Sequence, residues 1–488
     1  MEPQNLKFGG GVSQTTLNPI VFLVVVLIGI IICVRGRKQT LPLFLAAGLL
    51  IPIDQILVLG PIHFPMLRVL LLFGMIRMAL SKMSSKEVIF SGGMTAMDKA
   101  VIFFALFTAI DSVLLWRDSG MLVRQAGDLV TVFGTYFLAR FLIRDNEDVE
   151  IAVRTLAYIA MVMAAVMTYE QVTGHNPYAL LGGARAGFFG QLLEREDRLR
   201  ATGAFSHPLL AGTFGAIMAP LFVGLWLKDK KNLKIALMGV TASAVIVWAS
   251  ASSTPLLAFA GGMMALCMWP LRNLMRPIRW GIVLLLVSLH MVMKAPVWQL
   301  IARVDLVGGS SSDHRYQLIN QCIIHFKDWW LFGVKDTGVW GWGMWDTANQ
   351  YVSVADSTGL IPFVLFIAIL VYGFKYVGKA RNAWADNKNM QLYNWSLGAA
   401  LFANVVGFVG ISYWDQIQVA WYAFLAIITA AYLAVPAEST AAVTVTAHVA
   451  PPRATLPVRP AYTPDTPKEI PSYGRMVTGR WPVKSTTK

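Results

Sequence analysis

The segment that decides the fold runs from His207 to Lys228 and reads HPLLAGTFGAIMAPLFVGLWLK. From Pro208 to Leu227 it carries no charged side chain. A lipid bilayer has a hydrocarbon core of about 30 Å, which roughly 20 apolar residues cross as an α-helix. This segment therefore predicts a membrane-spanning helix.

Similar segments recur on both sides of it. The chain has 488 residues, of which 56% are hydrophobic and 14% charged, whereas a soluble globular protein carries about 25% charged residues. This composition excludes a water-soluble enzyme. We predict an all-α, polytopic integral membrane helical bundle of about 12 to 13 transmembrane helices. The 13 predicted spans begin near Pro19, Leu41, His63, Met97, Leu122, Val149, His207, Leu233, Thr254, Ile278, Leu360, Leu392 and Trp414.

Every second connection between these spans is rich in lysine and arginine. Basic connections stay on the cytoplasmic side of a membrane. With 13 spans, the pattern places the N-terminus outside and the C-terminus inside, so the net charge of +14 does not indicate nucleic-acid binding. Two outside connections are long, covering about residues 174–206 and 295–359 of a transmembrane domain predicted over 1–435.

The last part of the chain, residues 436–488, differs in composition. It holds nine of the 23 prolines and few large apolar side chains, so it cannot bury a core. We predict a disordered cytoplasmic tail. Its basic residues are compatible with contact to anionic membrane lipid, although a solvated tail is the simpler interpretation.

The longer outside connection carries six tryptophans between Trp298 and Trp345. Tryptophan prefers the boundary between water and lipid, which predicts that this connection lies against the outer membrane surface. Within it, Tyr316, Ile319, Ile323 and Phe326 recur at helical spacing. This spacing predicts a helix lying in the interface.

Ionisable residues inside spans are costly and need a partner or a cavity. On the predicted topology they collect in the outer part of the bundle. Arg77 and Arg140, near the inner ends, can extend to the cytoplasmic surface. The outer set predicts a polar cavity that opens outward, and an alternative interpretation is that Arg68 pairs with Asp111 or Asp128 only to hold helices together. We predict that the polar side chains supporting this cavity are Arg68, Asp111, Asp128, Glu170, His207 and Asn349.

The first outside connection ends with Arg200, close to Gly203 and the start of a span. A guanidinium group donates two parallel hydrogen bonds to phosphate oxygens. Arg200 is thus a candidate phosphate ligand, and a charged, solvated loop is the alternative.

The second outside connection contains His314 beside Arg315, and Asp346 further along. A histidine beside a cation is a candidate proton acceptor, although a loop histidine is often an exposed bystander. Motifs of serine hydrolases, ATPases, zinc proteases and iron–sulfur proteins do not occur in the sequence. We expect no metal and no cofactor.

Together, the two connections resemble the O-antigen ligase and O-antigen polymerase superfamily of bacterial envelope proteins. The segment from Arg200 to Pro208 is similar to the family's Arg-x-x-Gly-x-Phe-x-x-Pro pattern. Arg315, the run Trp330 to Val334, the run Asn349 to Tyr351, and Gly359 with Leu360 follow in the family's order. The resemblance covers about residues 174–372, and the family's dozen or so helices match the chain to Val435.

The resemblance implies a membrane glycosyltransferase with a GT-C-like fold in the bacterial inner membrane. Members of the superfamily transfer a glycan from undecaprenyl diphosphate at the outer face to an acceptor hydroxyl. Arg200 and Arg315 match the arginines thought to hold the diphosphate. The implied partners are this lipid-linked glycan, membrane lipid and other polysaccharide assembly proteins, without nucleic acid.

The sequence departs from the family pattern at several positions. Ala348 stands where ligases have the histidine of a His-Asn pair, Leu209 replaces an expected asparagine, and Lys335 replaces a glycine. These departures favour a polymerase or an exopolysaccharide-type member. His314 or Asp346 is then a candidate catalytic base.

Three other interpretations stay open. The protein is alternatively an O-antigen ligase or a protein O-oligosaccharide ligase, which differ from a polymerase in the acceptor. The second alternative is a membrane transporter of a small solute, which belongs to another functional class. A noncatalytic scaffold of an envelope assembly is the third.

Overall fold

The computed structural model describes residues 15–52, 54–59, 62–84, 89–182, 194–195, 198–303 and 311–435. Within these ranges the chain is predominantly helical. The predicted tail, 436–488, lies outside the described residues, as do parts of both long connections.

Sixteen α-helices occur in the described residues. Their bounds are α1 Pro19–Val34, α2 Arg37–Leu50, α3 Met66–Ser84, α4 Ala96–Trp116, α5 Ser119–Leu142, α6 Asn146–Thr173, α7 Pro208–Lys228, α8 Leu233–Ala249, α9 Ser253–Cys267, α10 Met275–Val292, α11 Ser311–Ile324, α12 Phe326–Trp329, α13 Gln350–Thr358, α14 Leu360–Ala383, α15 Lys388–Gly407 and α16 Gln416–Leu433. Single 3-10 segments lie at Pro177–Leu181, Lys230–Asn232, Trp269–Leu274, Val297–Arg303 and Gly338–Trp340.

The 13 predicted spans correspond to α1–α10 and α14–α16, each beginning within about four residues of its predicted start. Seven segments are long and apolar enough to cross a membrane: α4, α6, α7, α8, α10, α14 and α16, with α8 and α10 extended by the 3-10 turns before them. The described part of the chain is therefore consistent with a helical membrane protein. For the other six helices, a complete crossing stays a prediction.

Helix α2 is the shortest of these six helices. It has 14 residues, which gives an axial length of about 21 Å, and Pro52 follows shortly after its end at Leu50. Its side chains Leu41, Phe44, Leu45 and Leu49 are fully buried, and the helix packs against α1, α6 and α16. This helix is a buried core element, and its burial does not depend on contact with lipid.

Helices α7 and α16 form the centre of the bundle, since 83% of the apolar window of each is buried. Helix α7 packs against α8, α9 and α15, while α16 packs against α5 and α14. Helix α10 has no buried residue. Among the described helices, α7 and α16 are therefore enclosed by their neighbours, whereas α10 lies at the periphery.

The prediction that Arg140 extends to the cytoplasmic surface is wrong. Arg140 is fully buried, and its Nε donates to the carboxylate of Asp98 over 3.0 Å. The hydroxyl of Tyr136 donates to the same carboxylate over 2.6 Å. Burial of both partners explains the difference, because a paired charge has no need to reach water.

The connection between α10 and α14 has a small apolar core of its own. It comprises Leu318, Cys322, Trp329, Trp340, Met344, Val352 and Ala355. The predicted helix around Tyr316 is confirmed as α11, and Ile323 and Phe326 on the predicted apolar face are exposed. Trp342 is 99% exposed, whereas Trp329 and Trp340 are buried. For those two, core packing replaces the predicted role at the membrane boundary.

Two short hairpins depart from the all-α prediction. Strand β1, Ile56–Leu59, pairs antiparallel with β2, Ile62–Pro65, and β3, Glu194–Arg195, pairs with β4, Arg198–Leu199. The backbone of Thr16 exchanges hydrogen bonds with Ile56. Four-residue segments are too short to show a period, and these additional backbone bonds favour the extended form. The second hairpin leads directly into Arg200.

Candidate functional site

The backbone on both sides of Arg200 is fixed by the C-terminal ends of α6 and α8. The amide of Ala201 donates to the carbonyl of Ala249 over 3.0 Å. The side-chain amide of Gln171 donates to the same carbonyl over 2.9 Å and also to the carbonyl of Leu199. Hydrogen bonds to α6 and α8 therefore fix the backbone position of Arg200.

Glu170, the neighbour of Gln171, holds the turn that follows. Its carboxylate accepts hydrogen bonds from the backbone amides of Thr202, over 3.0 Å, and Gly203, over 2.9 Å. The Thr202 hydroxyl adds a third bond of 3.2 Å. Gly203 has a φ of +58°, a left-handed conformation that favours glycine. Glu170, predicted to line the polar cavity, is buried and bound to this turn.

The side chain of Arg200 reaches the segment between α8 and α9. Its Nη2 donates to Oγ of Ser252 over 2.8 Å, and its Nε donates to the carbonyl of Ser250 over 3.4 Å. Ser252 is the residue immediately before α9. Arg200 thus places a positive charge beside the N-terminus of that helix.

Arg315, on α11, approaches the same helix end. Its side chain is largely buried, with the residue 7% exposed, and it packs against Gly410 in the segment between α15 and α16. A Cβ atom at Gly410 would lie 2.9 Å from Nε of Arg315 and would overlap Oγ1 of Thr254. The Thr254 hydroxyl donates to the carbonyl of Gly410 over 3.3 Å. The two arginines therefore contact or adjoin neighbouring residues of one helix N-terminus.

This N-terminus has several features that suit an anion. The residues Ser252, Ser253 and Thr254 bring three hydroxyl groups into its first turn. Ser253 is 1% exposed, and within the described residues its hydroxyl has no hydrogen-bond partner. Helix N-termini present unpaired backbone amides and a partial positive charge. With two guanidinium groups nearby, this cluster is electrostatically matched to a phosphate group.

A carboxylate and a neutral imidazole lie next to this cluster. The Ser206 hydroxyl donates to Oδ2 of Asp415 and accepts from Nε1 of Trp414 over 3.2 Å. His207 caps α7, with its Nδ1 accepting from the Leu209 amide over 3.2 Å. Burial, with the charge of Arg200 as a second cause, lowers the pKa of His207 to about 4. His207 is therefore neutral at pH 7.

Backbone strain is concentrated in the same region. Among the described residues, three non-glycine residues have a positive φ: Arg117, Ala251 and Asp415. Ala251 lies between Ser250 and Ser252, and Asp415 contacts Ser206. Strained backbone persists where the surroundings fix it, and such positions often cluster at functional sites.

Asn349 joins the connection between α10 and α14 to the segment between α15 and α16. Its Oδ1 caps α13 by accepting from the amides of Tyr351 and Val352, and its Nδ2 donates to the carbonyl of Val409 over 3.0 Å. Asn349 therefore positions the residue next to Gly410, against which Arg315 packs.

His314 and Asp346, the predicted catalytic candidates, lie together. Nε2 of His314 is 2.9 Å from the backbone carbonyl of Asp346, which requires a proton on that nitrogen, because a carbonyl oxygen only accepts. The Asp346 side chain is exposed. The contact places the two residues beside one another through backbone and does not pair imidazole with carboxylate.

The other predicted cavity residues lie on different helices. Arg68, on α3, donates to the carboxylate of Asp128, on α5, over 3.0 Å, and to the Thr131 hydroxyl over 3.1 Å. Asp111 is buried on α4. The pair formed by Arg68 and Asp128 matches the interpretation in which these charges hold helices together.

An open, largely apolar groove of about 430 Å³ runs between α6 and α8. Its lining includes Met161, Ala164, Leu237, Met238 and Val245. Thr168 also lines it, and its hydroxyl is bonded to the carbonyl of Ala164 over 2.7 Å. The groove ends within about one helical turn of Gln171 and Ala249, the residues that fix Arg200.

Sequence reasoning did not identify Ser250, Ser252, Ser253 or Thr254 as site residues. The available signal was a run of hydroxyl residues before Pro255, between two predicted spans, since serine and threonine before proline mark a helix start. The contact of Ser206 with Asp415 bridges residues 209 positions apart and has no signal in the sequence.

No protein-family model matches the chain, and no curated protein matches it significantly.

Proposed function

We propose that this protein is a membrane glycosyltransferase of the O-antigen ligase and polymerase superfamily. It polymerises or transfers a glycan carried on undecaprenyl diphosphate at the outer face of the bacterial inner membrane. The proposed topology places the N-terminus outside, the C-terminus inside and both long connections at the outer face. The fold in this proposal is GT-C-like.

The observation that supports the proposal most strongly is the position of the two arginines. Arg200 and Arg315 come from separate connections, and both lie at the N-terminal end of α9. When a glycan leaves undecaprenyl diphosphate, negative charge grows on the diphosphate. Fixed donors aimed at that charge stabilise the transition state more than the ground state.

The groove between α6 and α8 supports a lipid-linked donor. Its apolar lining is compatible with a polyprenyl chain, and it leads towards the residues that hold Arg200. A diphosphate at the arginines would then lie near the C-terminal ends of α6 and α8, which hold the backbone beside Arg200, and the isoprenoid chain would lie in the groove between these helices.

The proposal is tested with Arg200→Ala and Arg315→Ala in cells that make the polymer. Each variant is expected to lose about 10²- to 10³-fold in transfer rate, the usual cost of removing one charge-stabilising donor. The matched control is Arg198→Ala, because Arg198 is an exposed arginine of the same connection whose guanidinium stacks on Trp248. Polymer chain length is measured on gels at equal protein levels.

Loss of polymer in both site variants with normal polymer in Arg198→Ala supports the proposal. Normal polymer in either site variant contradicts it. Solute uptake by purified protein in liposomes free of lipid-linked glycan would instead favour a transporter.

A further inference from the structure

Two arginines and two tryptophans form a row at the end of α9 opposite to Ser252. The guanidinium carbon of Arg272 lies 4.4 Å from the ring centre of Trp269. The rings of Trp269 and Trp395 meet edge to face, with 5.8 Å between their centres. The guanidinium carbon of Arg381 lies 5.8 Å from the ring centre of Trp395. This arginine–tryptophan row therefore links the segment after α9 to α14 and α15.

Hydrogen bonds hold the row in place. Nε1 of Trp395 donates to the carbonyl of Ala265, in the last turn of α9, over 2.9 Å. Nη1 of Arg272 donates to the carbonyl of Trp269 over 3.4 Å. All four side chains of the arginine–tryptophan row are half-buried. The row is thus a preformed surface that a ligand can contact.

Neither arginine of the row pairs with a carboxylate among the described residues. The Arg272 side chain donates there to the Trp269 carbonyl alone. Arg381 donates from Nε and Nη2 to Oδ1 of Asn382, over 3.4 and 3.0 Å. The positive charge of Arg272 also acts on Arg381, and like charges repel. Because a guanidinium group carries five N–H donors, both arginines retain donors for a ligand.

Basic side chains of α6 and α7 at the same end of the bundle are neutralised by a carboxylate. Lys228 lies over the ring of Tyr393, on α15, at 5.1 Å, and donates to Glu150 over 2.7 Å. Arg154 donates to the same carboxylate. The arginine–tryptophan row differs from this arrangement, because its two cations are brought together without an acidic partner in the described part of the chain.

The surroundings of the row are basic and apolar. Residues 230–304 contain no aspartate or glutamate, and residues 357–414 contain one, Asp386, which is exposed. Large apolar side chains that neighbour the row along the chain are also exposed: Met264, Leu271, Leu274 and Trp280. A lipid headgroup lies beside its own acyl chains, which such side chains can contact, whereas a soluble anion gains nothing from them. The surroundings therefore favour a lipid ligand.

We propose that the arginine–tryptophan row binds the headgroup of an anionic phospholipid, with the phosphate between Arg272 and Arg381. The phosphate accepts hydrogen bonds from both guanidinium groups and offsets the repulsion between them. The two tryptophans lie at the boundary between headgroups and acyl chains, which this side chain prefers. On the proposed topology this end of α9 faces the cytoplasm. The site is separate from that of the lipid-linked glycan and does not depend on the proposed function.

The lipid preference of the wild type gives the first test. Purified full-length protein in detergent is titrated in turn with phosphatidylglycerol, phosphatidylcholine and inorganic phosphate, and bound lipid is counted by native mass spectrometry. Phosphatidylglycerol is expected to bind about tenfold more tightly than phosphatidylcholine, whose choline cation opposes the two arginines. Inorganic phosphate is expected to compete weakly, because it has no acyl chains.

The second test uses Arg272→Gln and Arg381→Gln. Each is expected to lose at least about tenfold in affinity for phosphatidylglycerol, the equivalent of one charge-assisted hydrogen bond. The matched control is Arg279→Gln, which removes the same charge from an exposed arginine of α10 whose Nε donates to the carbonyl of Met275 in its own helix over 3.0 Å. Its affinity is expected to stay within about twofold of the wild type, because exposed charges are screened by salt. Melting temperatures in lipid-free detergent separate a loss of folding from a loss of binding.

Selective loss of phosphatidylglycerol binding in the two row variants, with unchanged melting temperatures, supports the proposal. Wild-type affinity in either variant would limit the arginines to stacking on tryptophan and would overturn it. An equal loss in Arg279→Gln would show general attraction to a basic surface and would also overturn it. Equal binding of phosphatidylcholine, or strong competition by inorganic phosphate, would contradict an anionic lipid site in the wild type without the need for any variant. The proposed function is tested separately by Arg200→Ala and Arg315→Ala.

Discussion

The carboxylate of Glu170, at the end of α6, accepts a hydrogen bond of 2.9 Å from the backbone amide of Gly203. This bond and its partner at Thr202 fix the chain immediately after Arg200. The position of a candidate phosphate ligand thus depends on a buried side chain from another helix.

Glu170→Ala is therefore expected to lower both the stability of the fold and the affinity for the lipid-linked donor. It leaves two buried backbone amides without an acceptor, at a cost of about 1 to 3 kcal/mol for each. The expected result is a lower melting temperature and a weaker affinity for undecaprenyl diphosphate. Tyr169→Ala is the control, since Tyr169 is exposed on the same helix. Equal diphosphate affinity in both variants would show that Glu170 does not position Arg200.

The ionisation of His207 reports on its distance from Arg200. Burial, and then the charge of Arg200, lowers the pKa of His207 to about 4. Removing the charge with Arg200→Gln is expected to raise this pKa, as measured by NMR of labelled histidine during a pH titration. Arg198→Gln should leave it where it is. An unchanged pKa in Arg200→Gln would contradict the arrangement of these two residues.

The same histidine makes stability depend on pH. Its folded pKa lies below the value of about 6.5 for an unfolded histidine, so its contribution is complete above that value. The contribution is then lost as pH falls from about 6.5 towards 4, because the unfolded chain takes up the proton first. Replacement by asparagine, His207→Asn, is expected to flatten this part of the curve of melting temperature against pH.

Asp356 makes stability depend on pH in the opposite direction. It is 3% exposed on α13, and burial raises its pKa to about 8. The fold therefore favours the protonated form. Stability from this group is complete below pH 4 and is lost as pH rises towards 8, because the unfolded carboxyl ionises first.

Asp356→Asn is expected to remove this loss and to raise the melting temperature most at pH 8 and above. The matched control is Asp346→Asn, because Asp346 is an exposed aspartate of the same connection. An increase that is equal at pH 5 and pH 8 would indicate a packing effect with no contribution from ionisation.

The buried pair formed by Arg140 and Asp98 predicts a large effect on folding at the other end of the bundle. Arg140→Ala leaves the Asp98 carboxylate buried without its cation, which costs about 3 to 5 kcal/mol. The double variant Asp98→Asn with Arg140→Met is expected to recover part of that loss. The measurement is the free energy of unfolding in detergent, and a loss below about 1 kcal/mol in Arg140→Ala would contradict the buried pair.

The helices could be predicted from the sequence because apolar runs such as Pro208–Lys228 carry the signal along the chain. The limits of these runs predicted the helix starts to within about four residues. The burial of Arg140 could not be predicted, since its partner lies 42 residues away and depth in a bundle depends on packing between helices.

The candidate site could likewise be predicted only in part from the sequence. Arg200 and Arg315 stand in recognisable motifs, so the sequence identified them as candidates. Their common position at Ser252 and Thr254, the role of Glu170 in holding Gly203, and the strained φ of Asp415 arise from contacts between distant segments. Such contacts leave no periodic or local pattern in a single sequence.

The central claim is that Arg200 and Arg315 bind one diphosphate, and affinity for undecaprenyl diphosphate tests it most directly. Purified wild-type protein is compared with Arg200→Ala, Arg315→Ala and the control Arg198→Ala, with undecaprenol as the lipid that lacks phosphate. We predict one binding site in the wild type, at least about a tenfold loss of affinity in each of the first two variants, since a charge-assisted hydrogen bond contributes about 1.5 to 3 kcal/mol, and weak binding of undecaprenol. Wild-type affinity in either variant, or equal affinity for undecaprenol, would contradict the claim.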